Sequence, residues 1–98
     1  MVEEDTNYQG NDINNGLADP RQYDAMSCKT YCKSNYLSAG YFTWVSPSSA
    51  ESHFHNTCWC KNSDSGKAYE QGETSGEVTC GDQGNENPLL LNSVSKDV

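Results

Sequence analysis

The distribution of apolar and polar positions predicts one helix and a few short strands. Between Asp24 and Asn35, the residues Ala25, Cys28, Tyr31 and Cys32 recur three and four apart, which puts them on one inner face of a helix. Two starts are open. Asp19 offers a cap with Pro20 at the first helical position and Gln22 three residues after the cap, while Asp24 offers a second cap four residues before Cys28. The aromatic and β-branched run Tyr41 to Val45 predicts a central strand, with Phe42 and Trp44 on one face and Tyr41, Thr43 and Val45 on the other. Pro47 ends it, and Ser46 to Thr57 is a polar connection carrying His53 and His55. Cys58-Trp59-Cys60-Lys61 predicts the next strand, its cysteines on one face and Trp59 directed to the other.

The flanking segments are weaker. Tyr8 and Ile13 anchor a short strand and turn beginning near Asn7, followed by a tight turn at Asn14-Asn15-Gly16. After Cys58 to Lys61, the turn Asn62 to Gly66 predicts a hairpin in which Lys67 to Glu70 returns. Gln71 to Gly76 reads as a loop and Glu77 to Cys80 as a short last strand. Asp82 to Pro88 has the composition of a linker, and Leu89-Leu90-Leu91 is the apolar run of the tail.

Two thiols one helical turn apart can face two thiols on one side of a strand. That spacing predicts a helix stapled across a sheet by two disulfides. Composition supports staples, because 98 residues with a hydrophobic fraction of 34% bury little apolar surface. Five cysteines in a short acidic chain fit an oxidising, extracellular setting. A formal charge of −8, with six Lys and Arg in all, argues against nucleic acid and anionic membrane surfaces as partners. No apolar run reaches the length of a membrane span or a signal-peptide core, so the chain is expected to be a domain excised from a longer secreted protein.

Other chemistries fit less well. A four-thiolate zinc site would need Cys58 and Cys60 to chelate from one strand, an awkward geometry, and Cys58-x-Cys60 as a redox pair would have only Lys61 nearby to lower a thiol pKa. His53 and His55 in a polar loop read as solvated side chains. No Ser, His and Asp arrangement or carboxylate pair stands at a catalytic spacing. Neither an enzyme, a cofactor nor a metal is expected.

The ordered set of Tyr8-x-Gly10-x-Asp12-Ile13, Cys28-x-x-x-Cys32, Phe42-Thr43-Trp44, Cys58-Trp59-x-Lys61 with Ser63-x-x-Gly66, and Ser75-Gly76 before Cys80 resembles a PAN/Apple domain. It is most similar to the Apple domains of apicomplexan microneme adhesive proteins. The resemblance covers residues 6–81, leaving 1–5 as a flexible N-terminal segment and 82–98 as a linker or disordered tail. It implies an α+β fold in which a curved antiparallel sheet cradles one helix, stapled by disulfides. Such domains usually carry six cysteines, joined first to sixth, second to fifth and third to fourth. By position Cys28, Cys32, Cys58 and Cys80 are similar to the second, third, fifth and sixth. Ala39 and Gly40 stand near the place of the fourth, and Cys60 stands where Leu is usual. The resemblance therefore suggests that Cys28 pairs with Cys58 and that Cys60 takes over as the partner of Cys32, leaving Cys80 unpaired or bonded outside this chain. From the residues alone, any of the five can be left over, with three connectivities for the rest.

The same resemblance implies a secreted, microneme-type adhesion module. Its partner would be a protein or glycan on a host-cell surface, or a neighbouring adhesin domain. A galactose-type lectin is the alternative within that family, and an autonomous disulfide-rich inhibitor or effector the alternative outside it. Tyr41, Trp59, Lys61 and Tyr69 are the ligand-binding candidates, since a saccharide site pairs an aromatic face with polar donors.

Overall fold

A computed structural model of the chain describes residues 2–79. Its strands are β1 (Val2–Tyr8), β2 (Tyr41–Val45), β3 (Cys58–Lys61) and β4 (Lys67–Glu77), with one α-helix, α1 (Ala25–Asn35), and a 3-10 turn at Ser52–Phe54. The strands form one antiparallel sheet in the order β1-β4-β2-β3. The fold is thus a small α+β unit with its helix on one face of the sheet.

Helix α1 starts at the second of its two possible caps. Asp24 has extended backbone, and its Oδ1 accepts from Ser27 N–H at 2.7 Å. Asp19 is used elsewhere, accepting from Asn14 Nδ2 and from the Tyr36 hydroxyl. The helix ends where Tyr36 turns extended while its N–H still reaches Cys32 O.

The core follows from the alternation in β2. Phe42 and Trp44 face α1, as do Cys58 and Cys60 of β3, and Ala39 and Val78 complete the cluster. Ala25 and Tyr31 of α1 pack at its edge. Two disulfides cross this layer: Cys28 to Cys58 and Cys32 to Cys60, with Cα atoms 5.3 and 5.4 Å apart. All four cysteines are fully buried, and Sγ of Cys32 lies 3.6 Å from Sγ of Cys58.

Three expectations need correction. The segment 1–5 was expected to be flexible, but β1 begins at Val2, with Val2, Glu3 and Glu4 paired to Gly76, Ser75 and Thr74. Lys67 to Glu70 does not return as a hairpin on β3, because β2 lies between β3 and β4. Gln71 to Gly76 is not a loop. It continues β4, in which Lys67 to Tyr69 and Thr74 to Gly76 pair with β1 along one edge while Glu73 to Glu77 pair with β2 along the other, leaving Val78 in a turn. The pairing with β1 carries a bulge, where the four residues from Glu70 to Glu73 lie opposite the single Asp5. Gly72 makes the bend at φ +85°, donating its N–H to Asp5 Oδ1, and a Cβ there would lie 2.6 Å from the Ser49 backbone. Cys80 and the 82–98 tail fall outside the described residues.

With so small an apolar core, the disulfides should carry much of the stability. Replacing Cys32 and Cys60 together by Ala is expected to lower unfolding stability by about 2–4 kcal/mol, read from urea melts of the oxidised protein.

Candidate functional site

Because neighbours along a strand alternate, fixing Cys58 and Cys60 against α1 directs Trp59 and Lys61 to the opposite face. Cross-strand pairing places Thr43 beside Trp59, Tyr41 beside Lys61 and Glu73 beside Val45 on that same face. Polar groups buried beneath it are satisfied in a chain: the Thr43 and Ser75 hydroxyls lie 2.6 Å apart, Ser75 donates to Thr6 O, and Thr43 accepts from Tyr8 N–H.

Two loops raise walls on this floor. The chain leaving β1 turns at Gly10 and Asn11, both at positive φ, and runs beside the free edge of β3. There Ile13 N–H reaches Cys60 O and Asn14 Oδ1 accepts from Cys60 N–H. On the other side stand Glu51 and Phe54 from the polar connection. Between them lies a cavity of about 250 Å³, lined by Trp59, Lys61, Val45 and Glu73 from the strands, by Asn7, Gln9, Gly10 and Asp12, and by Glu51 and Phe54.

The aromatic wall is rigidly held. Trp59 meets Phe54 edge to face at 6.1 Å and donates from Nε1 to Thr57 Oγ1 at 3.0 Å. Gly16 backs the indole so closely that a Cβ would come within 2.8 Å of its ring. Lys61 is only 4% exposed, and its Nζ is engaged by Asp12 Oδ1 at 2.6 Å and Gly10 O at 3.0 Å. The one ammonium of the lining is therefore matched from within.

Carboxyl groups dominate the opposite end. Carboxyl oxygens of Glu51, Glu70 and Glu73 lie within 4.8 Å of one another. Glu73 is 3% exposed, and burial, a hydrogen bond with Glu51 and the charges of Glu51 and Glu70 push its carboxyl up to about 8, against a smaller opposing pull from Lys61. The sulfurs of Cys28, Cys32 and Cys58 also lie within 4.8 Å of one another, but in this structure they are bonded as disulfides rather than free as thiolates.

Of the four ligand-binding candidates, the structure brings together Trp59 and Lys61. Tyr41 is half-buried against Tyr8 at 5.9 Å, and Tyr69 is 77% exposed on β4 beside β1, where it lines a separate shallow groove. His53 stacks edge-on to Phe54, and the His55 ring nitrogen bonds Ser49 O at 2.7 Å. Sequence reasoning missed Glu51, Glu73, Phe54 and Asp12. Asp12 and Glu73 are placed by register across strands, and no local pattern gives that register. No protein-family model matches the chain, and no curated protein matches it either.

Glu73 gives the fold a pH dependence with a definite sign. Its carboxyl holds a proton up to about pH 8 in the fold, against an ordinary value of 4.5, so between those values unfolding releases a proton and raising the pH favours the unfolded chain. Thermal melts should show stability falling across this window. In Glu73→Gln that fall should shrink, and the variant should melt higher than the parent at about pH 8. An unchanged slope would show that Glu73 is not held protonated.

Proposed function

We propose that the chain is an extracellular binding module of PAN/Apple type, without catalytic activity of its own, that engages a protein partner in cell attachment or within a secreted adhesin assembly. The observation that carries this reading is the cavity itself, a concave, polar and aromatic site on the sheet face turned away from the disulfides. At about 250 Å³ it is smaller than the roughly 300–1,000 Å³ of pockets that take whole small-molecule ligands. It suits one projecting group, with the surrounding surface supplying the remaining contact area. Two buried disulfides favour an extracellular setting, and the resemblance suggests the microneme pathway. A module with so small a site gains from repetition, since linked copies raise effective concentration.

The meeting of Trp59 and Lys61 in one cavity favours a second reading, a galactose-type lectin. Binding of the oxidised, fluorescently labelled chain to an epithelial monolayer separates the two. Protein recognition predicts binding that is abolished by prior trypsin treatment of the cells, unaffected by free galactose, and lost in Gln9→Trp, which fills the mouth of the cavity from an exposed position. Galactose competition would establish the lectin instead, and binding unchanged in Gln9→Trp would place the contact elsewhere.

A further inference from the structure

The walls of the cavity carry more information than its size. Its apolar side is Trp59, Phe54 and Val45, and its far end is the Glu51 and Glu73 carboxyls with Glu70 behind them. The lining holds three acidic residues, Asp12, Glu51 and Glu73, against one ammonium, and that ammonium is already bonded to Asp12 and Gly10. A buried carboxyl whose side-chain hydrogen-bond partner is a second carboxyl is an arrangement that a guest cation relieves.

We propose that the cavity is a receptor for one cationic side chain, a lysine or arginine presented by a basic segment of a protein partner. Its aliphatic stem lies along Trp59, Phe54 and Val45 and its charged head meets Glu51 and Glu73. This rests on the protein-binding reading above and names the partner's chemistry. The indole offers the guest a π face as well as apolar area, and a charge-assisted bond to a carboxylate is stronger than one to a neutral acceptor. The net charge of −8 draws a basic partner toward the whole molecule and makes association salt-sensitive. An acidic guest would meet like charge with no free ammonium to offset it.

Protonation supports the assignment. The groups facing Glu73 are Glu51 from the connection after β2, Glu70 from β4 itself and Lys61 from β3, with Asp12 beyond it on the segment that borders β3. A guest cation adds a positive charge to this set and displaces the shared proton, so its affinity should rise with pH.

The test uses the oxidised full chain, labelled with ¹⁵N and titrated with Nα-acetyl-lysine methylamide and its arginine counterpart. The norleucine counterpart keeps the alkyl stem without the charge, and methyl β-galactoside serves as the sugar control. The lysine and arginine probes are expected to shift the Trp59 indole N–H and the Gly10 and Glu73 amides, with the norleucine probe at least about tenfold weaker. Binding should be tighter at about pH 9 than at about pH 6, and Glu51→Gln with Glu73→Gln should erase the preference for charge while the remaining amide spectrum keeps the parent pattern. Equal binding of norleucine, galactoside binding without lysine binding, or Ca²⁺ alone shifting the same amides would each overturn the proposal. Lysine binding by a chain that ignores cell-surface proteins would leave the cavity chemistry standing and remove the adhesive function. Protein-dependent attachment with no response to lysine or arginine would do the reverse.

Discussion

The rest of the structure depends on two covalent crossings between one helix and one strand. Cys28 and Cys32 are a turn apart on α1, Cys58 and Cys60 are two apart on β3, and their four sulfurs form one buried cluster beneath Phe42 and Trp44. A single bond would fix only one point of contact between helix and strand. Two bonds fix its direction, its roll and which of its faces is inside. The pleat then leaves Trp59 and Lys61 one orientation, away from the helix, so the scaffold and the cavity floor are consequences of the same four residues.

The exposed edges of the sheet are handled differently. The segment from Asn11 to Asn14 covers the β3 edge and supplies Asp12 to Lys61, so edge protection and site construction coincide. At the other edge, β1 carries Glu3, Glu4 and Asp5, whose charges oppose pairing with a further strand. Lys67 anchors that edge from β4, approaching Glu3 and lying over the Tyr8 ring. The exposed contribution of these ion pairs is small, and the buried hydroxyls of Thr43 and Ser75 matter more for holding β4 against β2.

What could be read directly was what short-range periodicity encodes. The helix face, the aromatic alternation of β2 and the two faces of β3 are all local patterns, and the structure contains each of them. Between Asp19 and Asp24 the choice of cap turned on tertiary demand, since Tyr36 and Asn14 both claim the Asp19 carboxylate. Strand β4 was opaque because Gln71-Gly72-Glu73-Thr74-Ser75-Gly76 has the composition of a loop and becomes extended through its partners. Losing β4 meant losing Glu73 and with it the acidic end of the cavity. Trp59 and Lys61 line the cavity because their orientation follows from the adjacent cysteines, whereas Tyr41 and Tyr69 lie outside its lining.

The bulge in β4 lies between two stretches that both pair with β1. On both sides of Gly72 the strand keeps register with β1, Lys67 to Tyr69 against Thr6 to Tyr8 and Thr74 to Gly76 against Val2 to Glu4, while Glu73 to Glu77 also keep register with β2. Residues Glu70 to Glu73 are left out of the β1 register and carry two of the clustered carboxyls. Substitutions at Glu70 and Gln71 alter the charge beside the cavity without removing a residue that is paired with β1 or β2. On this scaffold the acidity of that corner of the sheet is therefore free to change at little cost to folding.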